Sequence, residues 1–305
     1  MSQQKSKWQD VHGLLLLNKP KGMTSNTALQ KVRRIFNAKK AGHTGALDPM
    51  ATGLLPCCFG DSTKVAGLML NADKVYIAEC QIGSETDTAD ATGSVTKKSA
   101  KTQISTDEIH QATKNLTGEI QQIPPMYSAI HHNGQRLYKL ARAGIKVERE
   151  ARQVTIHSFK VLEINNDSKY QSIKFEIKVS KGTYIRTLIE DFAKKCNTLA
   201  HMTSLHRTKI GILTGQMNSL EQLSDADNLN QYLLPMDAAL IEYKTLTLDK
   251  KQVQTLIHGL RFETNIKQGI YRLYDQENTF LGLGEAQNNG QFKVKNLFLK
   301  SYFSS

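Results

Sequence analysis

The sequence predicts an α+β fold, with a large mixed domain over residues 11–240 and a small β-rich domain over 246–305. Three observations lead there. Apolar residues alternate over Lys74–Ile82 and again at Ile173, Phe175, Ile177 and Val179, the period of strands that bury one face. Segments of helical period with their own start signals lie around them. From about Leu246 the chain changes to short strand-like runs broken by Gly259, Gly269, Gly282, Gly284 and Gly290, which puts the boundary near 240–246.

In chain order, Gly13–Asn18 reads as a short buried strand that ends in the turn-forming KPKGMTS. Thr24 or Ser25 then caps a helix whose Ala28, Leu29, Val32, Ile35 and Phe36 share one face. Residues 41–61, punctuated by Gly42, Gly45, Gly53 and Gly60, read as a long loop with short pieces of structure. After the Lys74–Ile82 strand, the turn-rich GSETDTADATG opens another strand at Ser94–Lys97. Ser105 with Glu108 forms a capping box for a helix ending near Gly118. Residues 123–152 are basic: Arg136, Lys139, Arg142, Lys146, Arg149 and Arg152 face only Glu148 and Glu150, with Tyr127 and Tyr138 interleaved. Beyond the second alternating strand, SKGTYIRT passes into a helix through Ala193.

Composition excludes several classes. The 305 residues are 39% hydrophobic and 22% charged with 20 Gly and 6 Pro, which is neither collagenous nor disordered. No apolar run reaches the ~20 residues of a membrane span. The opening MSQQKSKWQD is polar, so a cytoplasmic chain is expected. Cys57, Cys58, Cys80 and Cys196 form no CxxC pair and no finger spacing, which fits reduced thiols and no metal. The 40 Lys and Arg against 28 Asp and Glu leave a net charge of +12, spread along the chain with no basic tail. An excess of that size attracts polyanions, and nucleic acid is the natural partner. No GxxxxGK[ST] phosphate loop, GxSxG elbow or HExxH occurs. Glu85, Asp87 and Asp90 miss the spacing of a calcium loop and read as a structural acidic turn.

The richest segment runs from Ala41 to Gly53, AGHTGALDPMATG. Its glycines let the backbone approach a ligand closely, and Pro49 biases Asp48 toward an extended conformation. A carboxylate on such a loop is ionised near neutral pH and can attack an electrophilic carbon without a separate base. Taken alone, an Asp-Pro pair is more often a turn.

GHTGALDPMATGLL resembles the catalytic motif of the TruB family, the bacterial tRNA pseudouridine-55 synthases. GLLLLNKPKGMTSN resembles the family's N-terminal signature, Lys74-Val-Tyr76 its K-x-Y, and GSETDTADATG its T-D-T-x-D turn. IPPMYSA, the Tyr138 to Gly144 run, EARQVTI and SKGTYIRTL are similar in order and spacing. The likeness covers most of residues 11–240, while the last 60 residues are compatible with a small PUA-like RNA-binding domain.

The resemblance implies a mainly antiparallel sheet with flanking helices and a thumb-like insertion, at about 123–152, that closes on RNA. It implies isomerisation of uridine 55 in the T loop of tRNA, with the base flipped out of its stack, no cofactor and no metal. The sequence shows no clear hydrophobic stripe for a dimer, so a monomer is expected, without an obligatory protein partner. Asp48 matches the catalytic aspartate; attack on C1′, attack on C6 and abstraction of a ribose proton are all open to it. Arg186 matches the arginine that pairs with it, Tyr76 and Tyr184 the aromatic residues that hold the base, His43 a nucleotide contact, and Leu205 the apolar lining of the uracil pocket. Asp90 would fix the neighbouring loop, and Lys19 and Pro20 would support the floor of the site. The chain departs from the family at His131, where lysine is usual, and at His206-Arg207, where a double arginine is common. Both departures bear on local RNA contacts and neither is expected to touch the chemistry. A guide-dependent synthase and an RNA chaperone that only binds are the alternative readings.

Overall fold

The computed structural model describes residues 8–166 and 170–298; MSQQKSK and the last seven residues of the C-terminal segment lie outside the described residues. The apolar GLLLLNK forms β1 (Gly13–Lys19). Helix α1 (Ser25–Ile35) starts where the Thr24 side chain accepts from the Thr27 amide. Next come β2 (Ala41–His43) and β3 (Thr52–Phe59). The loop expected over 41–61 is therefore replaced in large part by a strand. TGLLPCCF is buried nearly throughout and pairs antiparallel with β1 from Gly13↔Phe59 to Lys19↔Gly53. A strand covered on both faces shows no alternation, and Gly53 and Pro56 read as breakers, so the pattern conceals it.

The chain continues through α2 (Ala66–Leu70), β4 (Lys74–Ile82), the hairpin of β5 (Ser84–Thr86) and β6 (Val95–Lys98), and α3 (Thr106–Asn115), whose Ser105–Glu108 capping box forms as expected. Helix α3 stops at Asn115, and Gly118 opens β7 (Gly118–Gln122). The chain then leaves the sheet through β8 (His131–His132), β9 (Gln135–Arg136) and α4 (Leu137–Arg142), and returns as β10 (Arg152–Asn165). Because Arg152 pairs with Gln122, the basic segment springs from two adjacent strands and is pinned at its root. Strand β11 (Ser172–Val179), α5 (Ile185–Lys195), β12 (Ala200–Ile210) and α6 (Leu220–Ser224) complete the first unit. Then follow β13 (Lys244–Thr247), α7 (Lys250–Ile257), β14 (Phe262–Glu263), β15 (Gly269–Tyr274), β16 (Phe280–Ala286) and β17 (Gln291–Leu297). Helix α7, capped by Asp249 and Gln252, was not expected in a segment read as strands only.

The large sheet runs β1-β3-β12-β4-β11-β10-β7, with β2 added on β3. Its pairings are antiparallel except where β12 meets β3, at His206↔Thr52 and Arg207↔Gly53. The second sheet runs β13-β15-β16-β17-β14. Alternation along β1 explains how three layers form. Leu15 and Leu17 point to α1 and α6, while Leu14 and Leu16 meet Leu283 and Phe298 of the second sheet. Helices α3 and α5 cover the other half of the large sheet, where Phe159, Phe175 and Phe192 pack ring against ring at 4.8–5.9 Å between centroids. No helix among the described residues is long and apolar enough to cross a membrane. Phe192→Ala, which empties the centre of this cluster, is expected to destabilise the protein by about 3–5 kcal/mol in urea unfolding.

Candidate active site

Asp48 sits in the loop between β2 and β3 and is held there from three sides. The Ser25 hydroxyl accepts from the Leu47 amide at 2.7 Å and donates to the Leu47 carbonyl at 3.1 Å. Lys19, wholly buried, donates to Pro20 and Met23 carbonyls at 2.8 Å and reaches Pro49 at 3.4 Å. Burial lowers the Lys19 ammonium to about 8, against the pull of Asp48. The expectation that Lys19 supports the floor thus has a geometry: it anchors the residue after Asp48.

Arg186 lies in the first turn of α5, and its Nε stands 2.9 Å from the Asp48 carboxylate and 3.7 Å from that of Asp90. Its remaining nitrogens donate to the Thr88 carbonyl at 2.9 Å and the Tyr127 carbonyl at 2.8 Å. One guanidinium therefore joins the Asp48 loop, the acidic turn and the root of the basic segment. Asp90 is fixed in turn: one oxygen accepts from the Thr88 hydroxyl at 2.8 Å, the Thr92 amide at 2.9 Å and the Thr92 hydroxyl at 2.5 Å. The start of α5 is positioned by Gln122, whose side-chain amide donates to the Tyr184 carbonyl at 3.1 Å while its oxygen accepts from the Tyr184 amide at 2.8 Å.

Burial pushes the Asp48 carboxyl above its ordinary value, and Arg186 draws it back. The Asp48 side chain keeps 40% of its accessibility while that of Arg186 keeps 5%. Solvent still reaches the carboxylate, and a charge-assisted hydrogen bond from Arg186 holds it. The arrangement is a single exposed anion on a buried cationic support, suited to stabilising charge that develops on a bound group.

Tyr76 on β4 and Leu205 on β12 share the face that packs with Leu47, Met50 and Ala51, immediately beside the loop. They line an apolar floor next to the ion pair. Tyr184, half-buried at the start of α5, has its phenol pushed up by burial and lies close enough to feel Asp48 and Arg186. His43 on β2 is half-buried, and its Nδ1, itself buried, has no hydrogen-bond partner among the described residues. Burial and then the Arg207 charge lower its imidazole, so it is neutral at neutral pH. The structure thus brings Asp48, Arg186, Tyr76, Tyr184 and Leu205 together, with His43 at the β2 end of the loop.

Two expectations need correction. Arg207 keeps 1% of its accessibility, so it is no RNA contact. Its Nε donates to the Leu54 carbonyl at 2.8 Å and one Nη to the Gly45 carbonyl at 2.9 Å. These two bonds hold the chain on either side of Asp48, at Gly45 in the loop and at Leu54 in β3. Strand parity carried the signal, since Arg207 lies two residues from Leu205 on one strand face. His206 is also used internally, bonded to the Thr52 hydroxyl at 2.8 Å. Within the basic segment, Arg149 is half-buried and donates to the Pro124 carbonyl at 3.0 Å, holding the segment's own shape. Arg136, Lys139, Arg142 and Lys146 remain exposed.

Comparison with known proteins gives three consecutive matches. Residues 33–185 match the family described as TruB family pseudouridylate synthase (N terminal domain). Residues 186–241 match tRNA pseudouridylate synthase B C-terminal domain, and 245–298 match Pseudouridine synthase II TruB, C-terminal. The chain is 45% identical over 297 residues to a tRNA pseudouridine synthase B from Hydrogenovibrio crunogenus, covering 96% of each chain. It is 44% identical over 283 residues to one from Neisseria meningitidis serogroup A, covering 91% of each. Among solved structures, a Cbf5-Nop10-Gar1 complex contains a chain that is 26% identical with a TM-score of 0.69, covering 90% of this chain and 78% of that one. An H/ACA RNP bound to a substrate RNA containing 2′-deoxyuridine shares the fold at 23% identity and a TM-score of 0.70, with 94% of this chain and 85% of that one covered.

The ion pair makes a direct expectation. Carboxyl-carbon NMR, with Asp48 assigned by its loss in Asp48→Asn, will give a titration midpoint that rises by roughly one to three pH units in Arg186→Gln. Removing the guanidinium leaves Asp48 half-buried beside Asp90 with its main compensating charge gone. An unmoved midpoint would show that the pair does not hold the carboxylate.

Proposed function

The chain belongs to the TruB family of pseudouridylate synthases, and from that premise we propose that it isomerises uridine 55 in the T loop of tRNA to pseudouridine, with Asp48 as its catalytic residue. The reading rests above all on one observation: the Asp48 carboxylate is accessible, paired at 2.9 Å with a buried arginine, and set beside an apolar floor.

The reaction breaks the N1–C1′ bond, joins C5 of the same base to C1′, and exchanges the C5 proton for one on N1, so the atoms balance without any external reagent. A uridine in a folded T loop is stacked, and it has to leave its stack for the carboxylate to reach the sugar and the base. Tyr76 and Leu205 offer the flipped uracil an apolar surface, and Tyr184 offers an aromatic edge beside Asp48. His43, half-buried at the β2 end of the loop, contacts the nucleotide. Arg186 keeps Asp48 ionised and oriented while the closing RNA excludes water, when an unpaired carboxylate would otherwise take up a proton. The exposed Arg136, Lys139, Arg142 and Lys146 lie on the far side of the Tyr127 tether and meet phosphates, which gives affinity more than sequence choice. We read the protein as acting in the cytoplasm as a monomer.

The decisive assay supplies purified protein with a tRNA transcript tritiated at C5 of uridine, without added metal. Stoichiometric tritium release mapped to uridine 55, lost in Asp48→Asn while tRNA binding persists, is the expected result. Tight binding with no release by the wild-type protein would favour a chaperone or a guide-dependent synthase. Separately, Arg142→Gln with Lys146→Gln is expected to weaken tRNA binding and flatten its log–log salt slope by about one per lost phosphate contact. An unchanged slope would place those charges in solvent.

A further inference from the structure

Arg207 shares with Lys19 a feature that Arg186 lacks. It is among the largest fully buried side chains, yet no carboxylate lies within ion-pair distance of it among the described residues. A guanidinium removed from water without a counter-charge is costly unless its N–H groups are all used. Each of its three nitrogens is used on a backbone carbonyl. Nε donates to Leu54 at 2.8 Å, one Nη to Gly45 at 2.9 Å, and the other reaches Ala46 at 3.5 Å. The Tyr76 hydroxyl also interacts with the group.

Those three carbonyls stand at the two ends of one loop. Gly45 and Ala46 precede Asp48, and Leu54 follows it, so the guanidinium closes residues 45–54 into a ring with Asp48 at its crown. The backbone of Arg207 adds a second tie, because Arg207 pairs in register with Gly53 across the parallel junction of β12 and β3. That approach is close enough to require glycine. Gly53 has φ +96°, and a Cβ there would stand 2.4 Å from the Arg207 carbonyl oxygen and 2.9 Å from its amide nitrogen. Gly45 has φ +80°, and a Cβ there would lie 3.5 Å from Arg207 Nη1. Side chain and main chain of one residue thus hold both ends of the loop that carries the anion.

We propose that Arg207 is a positioning residue for the isomerisation, which clamps the ends of the Asp48 loop and fixes the carboxylate against the target nucleotide. The proposal rests on the functional reading above and deepens it. Arg207 touches neither substrate nor reacting atoms; it acts through the carbonyls of Gly45, Ala46 and Leu54. The fork is what matters, since a single ammonium at the end of a flexible stem cannot span carbonyls on both ends of a loop. A displacement of the reacting group by about 1 Å costs on the order of a hundredfold in rate.

The test compares wild type with Arg207→Lys, with Gly45→Ala as an approach to the same clamp from the loop side. Single-turnover tritium release and tRNA Kd are measured for each, and circular dichroism establishes that each variant is folded. The expected result is a single-turnover rate lower by roughly 10- to 100-fold with tRNA Kd within threefold of wild type. Should Arg207→Lys not fold, Gly45→Ala carries the test alone. A rate within twofold of wild type in the folded variants would overturn the proposal. So would a Kd raised tenfold at an unchanged rate, which would make Arg207 a determinant of binding. Absence of tritium release from the wild-type protein would instead sink the functional reading, so the two failures are distinct.

Discussion

A guanidinium that keeps 5% of its accessibility must find partners for a charge and five N–H groups inside the protein, and Arg186 organises the site around that need. It takes Asp48 at 2.9 Å, Asp90 at 3.7 Å and two backbone carbonyls, and each partner comes from a different stretch of chain. Removing a buried charge from such a group leaves the others unpaired, at a cost of several kcal/mol. The constraint therefore acts in both directions. The three segments hold Arg186 in place, and Arg186 keeps them at the distances at which Asp48 is both paired and accessible. The Tyr127 carbonyl matters most among these contacts for RNA, because it connects the carboxylate to the root of the basic segment.

The fold makes these contacts available by placing short loops at one end of neighbouring strands. Strand β12 lies between β3 and β4, so Leu205 and Arg207 on β12, Tyr76 on β4 and the Asp48 loop before β3 converge without any long excursion. The parallel contact of β12 with β3 brings the end of the loop directly against Arg207. The second sheet is fastened to the opposite face of β1 and β3 through Leu283 and Phe298, so the strand that follows Asp48 is covered on both sides. A loop whose flanking strand is buried twice over has little room to shift, which suits a group that must meet a reacting atom.

Much of this was legible in the sequence, and what was hidden was hidden for physical reasons. Alternation marked β4 and β11, and the side chains of Thr24, Ser105 and Glu108 marked where α1 and α3 begin. Strand β3 escaped because burial on both faces erases the period on which strand recognition depends, and Gly53 looks like a breaker when it is in fact a point of close approach. The Asp48 and Arg186 pairing came from resemblance; no spacing rule joins positions so far apart in sequence, and only the closed sheet brings them to 2.9 Å. Arg149 reads as a phosphate contact because it stands in a basic stretch, whereas its guanidinium, like that of Arg207, binds a carbonyl of its own chain.

That misreading bears on how the net charge of +12 is divided. Arg186, Arg207 and Lys19 are buried and committed to carbonyls or carboxylates, so they contribute field at the site without offering a hydrogen bond to RNA. Such fixed charges need no reorganisation when an anionic substrate arrives, unlike exposed lysines that must give up water and rotamer freedom. The exposed Arg136, Lys139, Arg142 and Lys146 form the other class, open to solvent and screened by salt. The two classes have separable signatures: loss of an exposed cation alters the salt dependence of binding, while loss of a buried one alters the ionisation or placement of Asp48. A basic protein of this kind is thus better described by where its cations are satisfied than by how many it has.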